Sequence, residues 1–255
     1  MNIKDKPKFL FFKRIVNTFF SPKIHGRFNK GNAFKGNIGK KKLNKIELFF
    51  HKITHRLWFF PSMYSAKFWV DFKKDGDRGY TTFMKIDDKA LFLIENLKKL
   101  ISNKNIPILD IGCNVGRFLN VLAKDGCTNL TGIDINQLAI NDSYGVYPDL
   151  VGKAEMKCDT IQNFLVNAKD NEFELIYTMG ATVELVHPTF PLVKKLTMAT
   201  SKYVCLLVNE TELYARFWEI EFRRNGCKLL LKEPFSHFEQ TGEIKEVLYV
   251  FEKNI

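Results

Sequence analysis

The stretch from Ile108 to Phe118, Ile-Leu-Asp-Ile-Gly-Cys-Asn-Val-Gly-Arg-Phe, decides the fold of this chain. Its first four residues predict a short buried strand, its glycines a tight loop, and its last residues the start of a helix. In such an arrangement, backbone N–H groups and the helix N-terminus can approach a polar ligand. The order of strand, glycine-bent loop and helix therefore predicts an α/β protein with a binding cleft at the end of this strand.

A second predicted strand ends beside this loop. It reads Leu-Thr-Gly-Ile-Asp and ends on Asp134, 24 residues after Asp110. A carboxylate only accepts hydrogen bonds and can take two O–H donors at once, which suits the two hydroxyls of a ribose. Together the two strand ends predict a nucleoside-binding cleft.

The spacing of the small residues narrows the choice of ligand. A dinucleotide fingerprint requires G-x-G-x-x-G, but counted from Gly112 this chain has Asn114 and Arg117 at the second and third glycine positions. The remaining pattern, D-x-G-x-N-x-G, resembles motif I of the class I S-adenosylmethionine-dependent methyltransferases. The resemblance implies that the loop 112–116 wraps the methionine part of that cofactor and that Asp134 accepts hydrogen bonds from the ribose hydroxyls.

Further segments agree with this family. Strand-like runs recur from about residue 106 to 252 at the rhythm of βαβ units, and they lie at 155–160, 173–179, 202–208, 226–231 and 246–251. A helix is predicted from Gln137, and another from Phe83 to Leu100. The resemblance implies an α/β, Rossmann-like class I methyltransferase fold. Its sheet is expected to have seven strands, mostly parallel with an antiparallel last strand, behind an N-terminal helical and basic extension.

The resemblance also implies where the cofactor is held. In this family the tip of the third strand lies near the adenine amino group, and residues just before the first helix of the domain often contact the methionyl carboxylate. The predicted cofactor-binding residues are Arg78, Tyr80, Asp110, Gly112, Cys113, Asn114, Gly116, Asp134, Ile135, Asp159, Thr160, Thr178 and Met179.

The segment after the fourth strand carries the predicted catalytic residues. Residues 182–188 resemble the family's V-L-E-H-V-x-P segment, with Glu184 and Pro188 kept, Leu185 in place of the histidine, and His187 two positions further on. A hydroxyl acceptor gains from a general base, an amine needs only to lose its proton, and a carboxylate needs no base. Glu184 and His187 are the candidate bases; the alternative is that each is a polar loop residue that caps the following helix.

Other polar residues suggest weaker hypotheses. Asn209 and Glu210 are predicted to end the fifth strand and are candidate contacts for the acceptor. His51 and His55 are four residues apart on a predicted helix, but they have no acidic partner at a useful spacing, so no metal site is predicted.

Composition sets the class of protein. The chain has 255 residues, of which 45% are hydrophobic, which is enough for one domain with a sizeable core. The five cysteines occur singly, without the paired spacing of a zinc site, and are expected to be core thiols in a reducing compartment. No run of apolar residues is long enough to span a membrane and no signal peptide is recognisable. We therefore expect a cytoplasmic protein.

Positive charge is concentrated at the N-terminus. Residues 1–56 hold 15 Lys and Arg against Asp5 and Glu47, whereas residues 57–255 hold 24 basic and 26 acidic residues. Phenylalanines at helical spacing between residues 9 and 20 predict a basic amphipathic helix. It could lie on an anionic membrane surface, pack on its own domain, or attract nucleic acid.

These patterns and the family resemblance divide the chain into three segments. Residues 1–45 are predicted to be a basic, partly mobile arm. Residues 46–80 are predicted to be an aromatic helical segment broken at Pro61, which forms a lid or, alternatively, packs in the core against the sheet edge. The resemblance implies that 81–255 is the cofactor-binding methyltransferase domain.

The acceptor is the least constrained prediction. Tyr-Thr-Met-Gly at 177–180 and Asp-Ile-Gly-Cys-Asn at 110–114 loosely resemble bacterial methylases of surface-sugar and glycan biosynthesis. This favours O- or N-methylation of a small molecule or of a sugar or lipid-linked glycan. RNA or protein methylation is one alternative. A degenerate cofactor-binding module that uses its basic arm for assembly is the other, with Leu185 as its only indication.

Overall fold

The computed structural model describes residues 80–179, 190–209, 216–239 and 242–254, and the single positions Val70, Val183 and Val186. The predicted arm of residues 1–45 lies outside this range, as does the predicted lid except for Val70 and Tyr80. The described residues form one sheet with helices on both faces.

The sheet has seven strands in the order β3-β2-β1-β4-β5-β7-β6. Strand β7 is antiparallel to both of its neighbours, and the other pairs are parallel. The predicted sheet, mostly parallel with an antiparallel last strand, is confirmed. The strands are β1 (Ile108–Ile111), β2 (Leu130–Asp134), β3 (Ala154–Cys158), β4 (Phe173–Met179), β5 (Thr200–Asn209), β6 (Cys227–Glu239) and β7 (Gly242–Lys253).

The last two strands are longer than predicted. Their apolar runs indicated 226–231 and 246–251, but pairing continues along a hairpin from Cys227 opposite Lys253 to Glu239 opposite Gly242. The hydrogen bonds of an antiparallel pair join backbone groups, so polar residues beyond the apolar runs can also belong to the strands.

The described helices are α1 (Asp88–Leu100), α2 (Arg117–Lys124), α3 (Gln137–Val146), α4 (Ile161–Asn167), α5 (Leu192–Ala199) and α6 (Trp218–Arg224), with 3-10 turns at Tyr80–Met84 and Pro148–Leu150. The predicted start of α1 at Phe83 is wrong. The Asp87 side chain accepts a hydrogen bond from the Ala90 N–H at 2.9 Å and begins the helix at Asp88. The predicted start of α3 at Gln137 is confirmed.

The core has two layers, one on each face of the sheet. Helices α1 and α2 cover one face, where Leu93, Leu97 and Leu119 pack on Ile108 and Leu175, whereas α4, α5 and α6 cover the other. Because the central strands are buried on both faces, they are apolar without alternation.

Four of the five cysteines belong to this core: Cys113, Cys127, Cys205 and Cys227. Cys158 is exposed, so the prediction of a core thiol is wrong there. It is the last residue of β3, the edge strand of the sheet, where no further strand covers it. No helix among the described residues is long and apolar enough to cross a membrane.

The strand order places a crevice at the carboxyl ends of the central strands. From β1 the chain moves outward through β2 and β3, then crosses to β4 on the other side of β1. Ligands of open α/β sheets bind outside the carboxyl ends of the strands at this point of reversal. The ends of β1, β2 and β4 are therefore where a site is expected.

Candidate functional site

The loop after β1 has a left-handed backbone at every second residue. Gly112, Asn114 and Gly116 have φ values of 76°, 54° and 87°. Glycine adopts this region without strain, and asparagine is among the few other residues that tolerate it. This explains why Asn114 can replace a glycine in the motif: the backbone, not the absence of a side chain, is what the middle position requires.

Backbone hydrogen bonds hold this loop against β2. The N–H groups of Gly112 and Cys113 both donate to the Ile133 carbonyl, at 2.8 and 3.0 Å. The loop is thus fixed to the neighbouring strand immediately before that strand ends on Asp134.

The Asp134 carboxylate joins the loop to the end of β2. One oxygen accepts from the Asn114 N–H and the other from the Asn136 N–H, both at 2.9 Å. Burial raises the pKa of Asp134, and these N–H donors oppose that rise. A carboxylate offers about four lone-pair sites, so Asp134 can anchor the loop and still accept hydrogen bonds from a ligand.

Two glycines let the loop and α2 lie close to the sheet. A Cβ at Gly132 would come within 2.7 Å of the Leu119 side chain and 2.8 Å of the Cys113 sulfur. A Cβ at Gly116 would come within 3.0 Å of Leu150. No role was predicted for Gly132, because its requirement arises only when the preceding helix, α2, packs on β2.

A buried polar group lies beneath the loop. Asp110 is 2% exposed and Tyr177 is fully buried; they are directly opposite each other on β1 and β4. The nearby Tyr177 hydroxyl acts to lower the pKa of Asp110. Even so, neither the Tyr177 hydroxyl nor Oδ2 of Asp110 has a hydrogen-bond partner of normal geometry among the described residues. Burial is the larger effect and raises the pKa of Asp110 to about 7.

Arg117 is a buried cation that sequence reasoning missed. It is 7% exposed, and its guanidinium donates to the Lys85 carbonyl at 2.5 Å and to the Met179 sulfur at 3.8 Å. Burial lowers its pKa, while Asp87 and Asp110 act to raise it. The side chain thus links the segment before α1 to the ends of β1 and β4. An arginine between the apolar residues of this motif was the signal that could have identified it.

Tyr80 lies under the loop. It is fully buried, its hydroxyl hydrogen-bonds Asp142 on α3, and its carbonyl accepts from the Asn114 side chain at 3.4 Å. The structure therefore brings Tyr80 to the cofactor loop as a packing and hydrogen-bonding partner, and its contact with a cofactor stays a prediction.

The ends of β3 and β4 carry further predicted residues. Asp159 follows β3 and accepts from the Thr160 N–H at 2.7 Å and from the Asn163 side chain at 2.9 Å, while Thr160 caps α4. Ile135 accepts a hydrogen bond from the Cys158 thiol through its carbonyl. In β4, Thr178 is buried and donates to the Ile111 carbonyl at 2.8 Å, beside Met179.

Arg78, Glu184, His187 and Glu210 lie outside the described residues, so the predicted bases stay predictions. Asn209 ends β5, as predicted, with its backbone opposite Glu246 of β7. Within the described ranges no three His, Cys, Asp or Glu residues are grouped as metal ligands.

Part of the chain matches a known protein family. Residues 84–189 match the family described as "methyltransferase domain". No curated protein matches the chain.

Solved structures share the fold at low sequence identity. A SAM-dependent methyltransferase from Methanosarcina mazei is 18% identical, with a TM-score of 0.51 over 63% of this chain and 97% of that one. A candidate RNA methyltransferase from Pyrococcus horikoshii is 13% identical, with a TM-score of 0.56 over 74% and 94%. The (4+2)-cyclase SpnF is 13% identical, with a TM-score of 0.54 over 65% and 82%. At these identities the structures support the fold and leave the substrate open.

Proposed function

We propose that this chain, whose residues 84–189 match a methyltransferase-domain family, is a class I S-adenosylmethionine-dependent methyltransferase that modifies a small molecule or glycan. The acceptor is a sugar or lipid-linked sugar, methylated at oxygen or nitrogen. The observation that carries the proposal is the loop 112–116, which three left-handed residues bend and the Asp134 carboxylate fixes to β2.

The charge of the domain supports a small acceptor over RNA. A protein that binds a polyanion needs a basic surface, yet residues 57–255 hold 24 basic and 26 acidic residues. The excess positive charge is confined to residues 1–56.

The cleft residues fit S-adenosylmethionine. Asp134 retains acceptor sites for the ribose hydroxyls, and the buried Oδ2 of Asp110 lacks a donor that an ammonium group could provide. Asp159 and Thr160 follow β3, where the adenine end would lie. When bound, the cofactor supplies an electrophilic methyl group on its sulfonium sulfur.

The chain's own contribution is then mostly positioning. Holding the acceptor atom in line with the methyl group and excluding water supplies much of the acceleration. Glu184 or His187 would accept the proton of a hydroxyl acceptor, and residues 46–80 would close over the cleft as a lid.

The basic N-terminal residues are suited to contact with an anionic membrane surface. Polyprenyl phosphates are anionic and lie at membranes, so a cytoplasmic enzyme with 15 basic residues in its first 56 could reach lipid-linked glycans by peripheral contact with an anionic surface. Nucleic acid is the less favoured partner for the same residues.

Calorimetry and isotope transfer test the function. Replacing Asp134 by Asn removes the charge and puts an amide donor opposite one of the two backbone N–H groups that Asp134 accepts from, those of Asn114 and Asn136. Binding of S-adenosylhomocysteine should weaken about ten- to hundredfold, since a hydrogen bond to a charged group contributes roughly 1.5–3 kcal/mol. Asp125→Asn is the matched control, because Asp125 pairs with Lys104 on the surface. Unchanged affinity of Asp134→Asn would refute the site.

Transfer of a tritiated methyl group then identifies the class of acceptor. Label in neutral sugars or lipid-linked glycans supports the proposal, label in RNA or protein contradicts it, and binding without transfer to any pool favours the degenerate module. Deleting residues 1–45 should leave cofactor affinity unchanged and abolish association with phosphatidylserine vesicles. Retained association would show that the arm has another role.

A further inference from the structure

Glu246 lies at the same edge of the sheet as the cofactor cleft. It belongs to β7 and is directly opposite Asn209, the last residue of β5, and Phe235 of β6. Because β7 is antiparallel to β5, its early residues lie beside the carboxyl end of β5. Glu246 is nevertheless only 5% exposed.

Only one of the two carboxylate oxygens of Glu246 accepts a hydrogen bond from a described residue. Lys89, in the first turn of α1, donates to Oε1 at 3.1 Å. Oε2 is buried and receives a hydrogen bond from no described residue. A buried carboxylate oxygen without a donor costs free energy, so its presence at a binding edge indicates that a ligand supplies the donor.

Glu246 is on the acceptor side of the cleft. The loop 112–116 and Asp134 lie at the carboxyl ends of β1 and β2. The carboxyl ends of β4 and β5 and the start of the antiparallel strand β7 are left for the second substrate. Met179 of β4 is opposite Leu207, Leu207 is opposite Leu248, and Glu246 comes two residues before Leu248. The side chains of Met179 and Glu246 therefore share a face of the sheet, with their strands about 10 Å apart.

The segment 85–89 connects the two halves of the edge. At one end the Lys85 carbonyl accepts from Arg117, beside Met179, and at the other end Lys89 holds Glu246. Between them, Asp87 caps α1. This short segment thus ties the position of the Glu246 carboxylate to the residues that border the cofactor loop.

We propose that Oε2 of Glu246 accepts a hydrogen bond from a hydroxyl or amino group of the methyl acceptor, and that Lys89 is a positioning residue. The proposal rests on the proposed function. A carboxylate selects acceptors that carry hydrogen-bond donors and disfavours those that present a carboxylate at this point. Glu246 would thereby determine the class of acceptor.

Glu246→Gln tests the carboxylate with little change of shape. Lys89 would still donate to the side-chain amide oxygen of the glutamine. The amide nitrogen would then face the hydroxyl or amino group of the methyl acceptor, and two hydrogen-bond donors would oppose each other. The rate of tritiated methyl transfer from S-adenosylmethionine to a polar-metabolite and glycan extract should fall about ten- to hundredfold. Affinity for S-adenosylhomocysteine should stay unchanged. Glu252→Gln is the matched control: it is on the same strand and pairs with Lys228 at 2.6 Å, but at the opposite end of the sheet.

A stability measurement separates binding from a structural role. If the ion pair serves the acceptor, replacing both partners by apolar residues, Lys89→Met with Glu246→Leu, should leave Tm unchanged or raise it, since an incompletely satisfied buried pair stabilises little. A fall of more than about 4 °C, corresponding to roughly 1–2 kcal/mol in a chain of this size, overturns the proposal. Loss of S-adenosylhomocysteine affinity in Glu246→Gln, or a transfer rate equal to that of Glu252→Gln, also overturns it. If the unchanged protein transfers no label to any fraction, the proposed function fails, and the Tm of the double variant still decides whether the pair is structural.

Discussion

Replacing Asp110 by Asn should change how stability depends on pH. Burial raises the pKa of Asp110 from 3.8 to about 7, so the folded protein binds this proton more tightly than the unfolded chain. The stability that the protonated group contributes is fully present below about pH 4 and is lost as the pH rises through about 7. With these pKa values, ionisation of Asp110 removes roughly 2.5 kcal/mol of stability between about pH 5 and about pH 8. The asparagine side chain would be neutral throughout, so the variant should not show this loss.

Urea unfolding followed by circular dichroism at the two pH values measures the difference. Other titrating groups contribute equally to both proteins, so subtracting the pH dependence of the variant from that of the unchanged protein isolates Asp110. Asp125→Asn is the control: the pKa of Asp125 is lowered by its hydrogen bond with Lys104, so this carboxylate stays ionised across the range. If Asp110→Asn loses as much stability between the two pH values as the unchanged protein, the reasoning about the buried carboxyl is refuted.

Three further substitutions test the packing of the cofactor loop. Gly132→Ala should lower the free energy of unfolding by about 1–3 kcal/mol, because its Cβ would lie 2.7 Å from the Leu119 side chain. The control is Gly145→Ala on α3, whose Cβ would meet nothing within 4 Å and which should be neutral or stabilising. An equal loss of stability in both variants would contradict the argument that Gly132 permits a close approach of α2. Asn114→Gly should keep S-adenosylhomocysteine affinity within about threefold, since glycine also adopts the left-handed backbone. Asn114→Val should lose at least about 1–2 kcal/mol of stability in urea unfolding, and wild-type stability in this variant would show that the φ of 54° is not required.

Sequence reasoning was most successful where a residue's neighbours in the chain decide its structure. The start of α3 at Gln137 is one such case, because the Asn136 side chain caps it through the N–H groups of Leu138 and Ala139. The bounds of β4, from Phe173 to Met179, are another, because an apolar run between polar residues marks a buried strand. The misplaced start of α1 has a local and a non-local cause: the cap at Asp87 lies within the helix's own first turn and was overlooked, whereas the hydrogen bond from Arg117 to the Lys85 carbonyl joins residues distant in the chain.

The candidate site divides along the same line. Local sequence was sufficient to predict the glycine-bent loop and its separation from Asp134, because strand, turn and helix preferences act over a few residues, whereas the seven-stranded sheet was predicted from the family resemblance. Only the tertiary structure joined Asp110 to Tyr177, Arg117 to Met179 and Lys89 to Glu246. These partners are distant in the chain, and whether a charged side chain is buried, and which of its atoms lacks a partner, depends on packing between elements that no local pattern records.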